Sequence, residues 1–388
     1  MISMIDILIL SYINKFDYID LNEIKSAINE PIGLIVQEVV RLYDEEYFKK
    51  YQDKYRLTDK GLSLNVSVWN TWLKDKGDEF SIEESYPVKR NSLNMPYFEN
   101  ISDLHKILKL EHIDVYSYHN FNISNGKKER LITSPSKNLK QRQKWILNYI
   151  LYNFNAIDCV HGFTKTKSIV TNAKCHVNKK EIGCLDIKDF FPSISAKQIF
   201  DVFRNFGYGE ELAMELCKLC TYEDCLPQGA PTSPMLSNIV FAPIDSEILQ
   251  YSKENNLVYT RYADDITISA DEDISNHLCE VKKIIQKYGF EINEQKTHIM
   301  KDNYRKMVTG LVVTDTVKVP QKFKRKFRQE IYYCEKFGVE QHLKNIGRKS
   351  AVNFKEYMYG KAYFIKMVEE DVGNKFLKEL DQIFSLVY

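Results

Sequence analysis

The 388-residue sequence predicts an α+β protein made of more than one domain. Three observations carry that expectation. Leu257 to Ala270 is rich in β-branched and aromatic residues on both sides of a short acidic tip, the pattern of a β-hairpin. Glu181-Ile182-Gly183-Cys184-Leu185-Asp186 reads as a short apolar strand, and beyond Pro192 the spacing of Ile199, Phe200, Phe203 and Phe206 predicts a helix. Residues 1–85 carry an apolar pattern of their own, joined to the rest by a polar connector, residues 74–97, that contains Pro87 and Pro96.

Taken in chain order, Ile19-Asp20-Leu21-Asn22-Glu23-Ile24 starts a short helix, and Pro31 to Glu46 gives another with Ile35, Val39, Val40 and Leu42 facing inward. Tyr47 to Tyr51 and Tyr55 to Thr58 then form a hairpin that ends at Asp59-Lys60-Gly61. Helices followed by a hairpin make this segment similar to winged-helix domains, which bind duplex nucleic acid or dock proteins. A basic stretch from Lys127 to Pro135 gives way to Leu139 through Leu147, a ribbon followed by a helix.

In the apolar strand, Asp186 shares a face with Ile182 and Cys184. A charge on a buried-strand pattern costs several kcal/mol unless paired or bound to metal, so Asp186 calls for a partner. Ser195 can cap the following helix and Gly207 can stop it. Leu226-Pro227-Gln228-Gly229-Ala230-Pro231 is a Pro/Gly-rich loop ahead of a helix.

At the hairpin tip, Tyr262-Ala263-Asp264-Asp265 sets two carboxylates side by side. Adjacent carboxylates repel unless a cation sits between them and a further ligand. The donor chemistry suggests Mg²⁺, a hard ion with oxygen ligands; an acidic surface turn is the plain alternative. Further on, Lys318 to Arg328 contains no acid and sets Phe323 and Phe327 on one helical face. Such a density of like charge favours a phosphate-tracking surface over a merely solvated helix. The last segment, through Tyr357, Tyr363, Phe364, Phe376 and Leu377, reads as helical.

A net charge of +1 does not by itself announce a nucleic-acid binder; the distribution matters more. No apolar run approaches the ~18 residues of a membrane span. Met4 to Leu10 carries an acid and lacks a basic leader, so no secretion signal and no membrane partner are expected. Eight cysteines without a regular framework fit reduced thiols in a cytoplasmic protein. Cys217, Cys220 and Cys225 have a zinc-like spacing, but the first two fall on an amphipathic helix and no nearby His completes the set.

With these residues in place, roughly residues 100–310 resemble reverse transcriptases. Asp186 matches the first palm aspartate, and Asp264 and Asp265 match the Tyr-x-Asp-Asp pair. Leu226 to Gly229 matches the Leu-Pro-Gln-Gly block, and Gly289-Phe290-Glu291-Ile292-Asn293 with Lys296-Thr297 looks like the next one. The resemblance implies a right-hand polymerase: fingers and connector 86–181, palm 182–310 and thumb 311–388, after the winged-helix-like residues 1–85. It implies two Mg²⁺ ions on the three aspartates, with Lys296 neutralising or protonating pyrophosphate. Phe191, five residues after the first aspartate, aligns with the aromatic gate against a 2′-hydroxyl, and Phe190 is the expected core member of the pair. Gln228 would bond a sugar or base, Gly229 would let the backbone approach a nucleotide, and Arg130 would contact the triphosphate of a dNTP.

Asn172-Ala173-Lys174-Cys175-His176 and Val308-Thr309-Gly310, with His161-Gly162-Phe163 upstream, are similar to retron reverse transcriptases. That subgroup implies a dedicated structured non-coding RNA as template, priming from an RNA 2′-hydroxyl, a branched RNA–DNA product, an anti-phage role and an effector or toxin partner. Nothing after the thumb leaves room for a ribonuclease H domain, so a host ribonuclease H is expected to remove template. The expected RNA-binding surface joins Lys322, Lys324, Arg325 and Arg328 to Asn172, His176 and Val308-Thr309-Gly310. Two alternatives stay open: another bacterial reverse transcriptase, intron-encoded or phage-defence, and a non-catalytic RNA-binding regulator on a decayed palm.

Overall fold

The computed structural model describes residues 90–385 apart from 94, 111–115, 125–128, 303 and 348–352, together with three short strands nearer the N terminus. The chain forms two compact units, Met1–Ser81 and Ile82–Tyr388.

In the first unit, β1 (Ile19–Asp20), β2 (Phe48–Tyr51) and β3 (Lys54–Leu57) form an antiparallel sheet in the order β1-β3-β2. The β2–β3 hairpin lies where the sequence places it, with Lys50 opposite Tyr55. The expected helix start at Ile19 is corrected: Ile19 and Asp20 are extended and pair with Tyr55 and Lys54. An available strand edge outweighs a weak local helix signal there. The helices expected between 21 and 46, and the turn at 59–61, lie outside the described residues.

The second unit begins with α1 (Ile101–Leu108), the antiparallel ribbon β4 (Tyr118–Ser124) and β5 (Glu129–Pro135), and α2 (Lys137–Tyr149), capped by Ser136. A one-turn 3₁₀ segment and the short helix α3 (Ile169–Lys174) lead into β6 (Glu181–Asp186). Helix α4 (Ala196–Asn205) follows, with Ser195 in a capping box with Gln198, and Gly207 just beyond its end at φ 87. Then come α5 (Glu210–Cys220), the long α6 (Ser233–Glu254), the hairpin β7 (Val258–Tyr262) and β8 (Asp265–Ala270), α7 (Ser275–Lys287) and β9 (His298–Met300).

The central sheet runs β7-β8-β6-β9, all antiparallel neighbours. One face is covered by helices. At Gly183 of β6, Leu278 of α7 fills the space of a side chain: a Cβ there would stand 2.3 Å from its Cδ1, so a larger residue would make that leucine shift. Leu185, Ile266 and Ile268 enter the main core with Phe203 of α4, Leu216 of α5 and Phe241 of α6. Cys217 and Cys220 are buried on α5, and burial pushes both thiols up.

Beyond the sheet, β10 (Met307–Val308), β11 (Leu311–Val313) and β12 (Val317–Lys318) form a small meander. Helices α8 (Gln321–Phe337), α9 (Val339–Asn345), α10 (Phe354–Val368) and α11 (Glu370–Ser385) close a second core. Phe327 lies edge-on to Phe376 at 5.1 Å and Phe323 to Phe364 at 5.4 Å, so both expected aromatics anchor α8. Among the described residues, no helix is long and apolar enough to cross a membrane.

Candidate active site

The site is assembled where β6 and β8 end together. Asp186 is the register partner of Asp265, and Tyr262 pairs with Asp265 across the two-residue turn Ala263-Asp264. The turn needs a left-handed residue, and Ala263 supplies it at φ 56. Ile187 N–H donates to the Asp264 carbonyl at 3.0 Å, which ties the chain after the first carboxylate to the second. Three carboxylate-bearing residues from two distant segments are thus fixed within one backbone hydrogen-bond lattice.

Asp186 is buried, 5% exposed, and its partner is Lys296, whose Nζ donates to Oδ2 at 2.6 Å. The Gly289–Lys296 block places that lysine: Asn293 N–H donates to the Asp186 carbonyl and Lys188 N–H to that of Glu291. The hydrogen bond to Asp186 holds the Lys296 ammonium above the usual lysine range. Asp265 keeps an exposed edge. Crowding by the protein, and then the charges of Asp264 and Asp186, nevertheless push its carboxyl up to about 6. Among the described residues, no group of three or more His, Cys, Asp or Glu side chains converges closely enough to hold an ion as placed. The donor set still suits a hard divalent cation, because its ligands are oxygens and one lysine offsets the negative charge only in part.

Around this centre, Phe190 is buried against Phe241 and Phe290, as expected, while Phe191 is half-buried beside Phe163 at 6.1 Å. The strand does not continue through them: the chain turns after Ile187, with Asp189 at φ 48. Gly229 lies against the β4–β5 ribbon. Thr133 N–H of β5 donates to the Gln228 carbonyl at 3.0 Å, and a Cβ on Gly229 would lie 2.8 Å from the Thr133 carbonyl oxygen. Arg130 belongs to β5, but its side chain lies outside the described residues.

Three expected RNA contacts are corrected. Asn172 and His176 are fully buried. His176 bridges the hydroxyls of Ser269 and Thr260 at 2.6 and 2.7 Å, so it joins the segment just after α3 to the central sheet. Asn172 Nδ2 reaches the Thr309 hydroxyl, which itself donates to the Ile169 carbonyl. The Asn-Ala-x-x-His and Val-Thr-Gly segments therefore meet each other inside the protein. Lys324 is 5% exposed and donates to both carboxylate oxygens of Glu369, whereas Lys322, Arg325 and Arg328 are exposed on α8.

The sequence reading missed a buried cluster behind the hairpin, in which Arg261 of β7 pairs with Asp245 of α6. The signal was present: Arg261 is a charge inside a strand pattern, and Asp245 sits in the apolar series Phe241, Ile244, Ile248.

A family model described as "Reverse transcriptase (RNA-dependent DNA polymerase)" matches residues 123–326, more than half of the chain. The Retron Ec86 reverse transcriptase of Escherichia coli is 32% identical over 269 residues, 65% of this chain and 84% of that protein. The Retron Se72 reverse transcriptase of Salmonella heidelberg is 34% identical over 59% of this chain and 64% of its own length. Among solved structures, telomerase from Candida albicans aligns over 90% of this chain and 72% of its own at 11% identity with a TM-score of 0.41, too slight a likeness to bear on the fold. The family match, together with a carboxylate triplet on a right-hand polymerase sheet, makes the chain an RNA-directed DNA polymerase that belongs to the retron-type reverse transcriptases.

Proposed function

We propose that the chain copies a dedicated structured non-coding RNA into DNA from dNTPs, with Asp186, Asp264 and Asp265 holding two Mg²⁺ ions. The observation that carries this reading is the Asp186–Asp265 register with Asp264 in the adjoining turn, where burial and then the two neighbouring carboxylates push the Asp265 carboxyl up to about 6. When bound, the ions lower the pKa of the attacking hydroxyl and stabilise the leaving pyrophosphate. Lys296, now on Asp186, supplies positive charge or a proton to that pyrophosphate. Phe191 excludes a 2′-hydroxyl, Gln228 bonds the sugar or base, and Arg130 contacts the triphosphate. The division into fingers 86–181, palm 182–310, thumb 311–388 and a winged-helix-like domain 1–85 belongs to the same reading.

The retron character supports a finer proposal. Synthesis starts from a 2′-hydroxyl within the RNA and leaves a branched RNA–DNA, because the chemistry needs only an oxygen held in line with the incoming phosphorus. Exposed Lys322, Arg325 and Arg328 track the RNA phosphates. An anti-phage role, an effector partner, host ribonuclease H and a cytoplasmic location follow from the same reading.

The test of the centre is Asp264→Asn, which keeps the side-chain volume and removes a charge. Polymerisation should fall by orders of magnitude while RNA binding persists; retained activity would sink the assignment. The test of the branch is DNA isolated from cells and treated with an enzyme that cleaves 2′,5′ linkages. A product that starts from an ordinary 3′ end would end the 2′-priming reading.

A further inference from the structure

We propose that Arg261 is a positioning residue of the polymerisation site, holding the turn that presents Asp264 and Asp265 in fixed relation to the strand end that presents Asp186. The proposal rests on the reading of those three aspartates as the reacting centre.

Arg261 and Asp245 are both fully buried, an uncommon setting for either. Arg261 Nε donates to Asp245 Oδ1 at 2.8 Å and Nη2 to Oδ2 at 2.7 Å, a two-pronged fork. The Tyr259 hydroxyl adds a bond to Oδ1 at 2.6 Å. That fork would serve the ion pair by itself, yet the guanidinium does more. Its Nη1 donates to the Ala263 carbonyl at 3.0 Å and to Asn238 Oδ1 at 3.1 Å. Ala263 is the left-handed residue directly before Asp264.

The guanidinium also lies 4.7 Å from the Phe241 ring and 5.9 Å from that of Phe190, in the turn after Asp186. One side chain therefore bonds the turn that carries Asp264 and lies over a ring of the segment that follows Asp186. Beneath the turn the backbone is equally constrained. The Arg261 carbonyl accepts from His161 N–H at 2.7 Å, and Asn238 Nδ2 donates to the Gly162 carbonyl at 2.9 Å. Gly162 is pressed so close that a Cβ there would stand 2.4 Å from the Ala263 nitrogen.

A buried ion pair is a weak source of stability, and apolar residues of similar volume often serve as well. No apolar side chain can donate to the Ala263 carbonyl. An alanine held left-handed is strained and relaxes once that restraint is gone. Misplacing a reacting group by about 1 Å costs on the order of 10² in rate.

The test compares full-length wild type with the triple variant Arg261→Met, Asp245→Leu, Tyr259→Phe, which replaces the polar cluster by apolar volume, and with Arg261→Lys. Melting temperature, primer-extension kcat, KM for dNTP and the Mg²⁺ concentration at half-maximal rate are measured. A folded triple variant should show kcat reduced about 100-fold, a Mg²⁺ requirement raised about tenfold and a dNTP KM within about threefold of wild type. Arg261→Lys keeps the charge but loses the fork, and should show the same raised Mg²⁺ requirement. A folded triple variant with wild-type kcat and Mg²⁺ dependence overturns the proposal. If the triple variant does not fold, Arg261→Lys decides, and wild-type behaviour there overturns it. Asp264→Asn runs alongside: its activity would overturn the aspartate reading, whereas its inactivity beside an unimpaired triple variant would overturn the positioning role alone.

Discussion

Asp186 and Lys296, 110 residues apart in sequence, meet as an ion pair of 2.6 Å at the end of β6. The carboxylate side chain is 7% exposed and the lysine 52%, so the ammonium covers the acid from the solvent side. Its positive charge offsets part of the carboxylate cluster, and on the proposed reading it has to release Asp186 before that carboxylate can hold a metal ion.

Lys296→Ala should therefore separate two quantities. Losing the charge or proton for pyrophosphate should lower kcat by about 10²-fold. Freeing Asp186 should lower the Mg²⁺ concentration needed for half-maximal rate. A Mg²⁺ titration of primer extension reads both, and an unchanged kcat would remove Lys296 from the chemistry.

Asp265 should trade stability for function. Its folded pKa of about 6 lies above the ordinary carboxylate value of about 3.9. The raised value favours folding only while the group is protonated, so its contribution is full below about pH 4 and lost as pH rises through 6. With the group partly exposed and screened, Asp265→Asn should gain about 1 kcal/mol at pH 7.5 in EDTA, or a few degrees in Tm. The gain should vanish at pH 4, and polymerisation should be lost throughout. Equal melting at both pH values would show that neither burial nor the neighbouring carboxylates raise the Asp265 carboxyl.

His176 reports in the opposite direction. Burial, then His161 and Lys179, pull its pKa down to about 3 from an ordinary value near 6.5. The neutral ring stabilises fully above about pH 6.5, and that contribution is lost as pH falls toward 3. His176→Phe leaves the Ser269 and Thr260 hydroxyls unbonded and should cost about 2–4 kcal/mol at pH 7. It should also flatten the acid loss of stability by about one proton. RNA affinity per folded molecule should not change; weakened binding in a fully stable variant would return His176 to the RNA surface.

On α8 the cations divide by exposure. Replacing Lys322, Arg325 and Arg328 with Ala should weaken RNA binding and reduce the salt slope by about two to three. Lys324→Ala should leave that slope alone and destabilise the fold by about 3 kcal/mol, because Glu369 loses its buried partner. Identical salt slopes in the two proteins would refute the division.

Replacing Phe191 with Ala should raise rNTP incorporation relative to dNTP in single-nucleotide assays. An unchanged ratio places the sugar gate elsewhere.

Local patterns made much of this legible. The hairpin at 258–270, the strand ending at Asp186 and the Ser195-capped helix each follow from residues close in sequence. Harder to read was which polar residues face inward. Asn172, His176 and Lys324 carry the residue types of a nucleic-acid surface, and only their partners, at 269, 309 and 369, reveal them as internal ties. Arg261 is the converse case, since the argument that singled out Asp186 applied to it equally.

The close approach of Gly229 to Thr133 has a mechanical consequence. Only a glycine lets the β4–β5 ribbon come this close to the Gln228 loop, because a Cβ at 229 would stand 2.8 Å from the Thr133 carbonyl oxygen. The ribbon cannot withdraw without breaking the bond from Thr133 N–H to the Gln228 carbonyl. Ribbon and loop are therefore tied at one point, and moving the strand at Thr133 without Gln228 would break that bond.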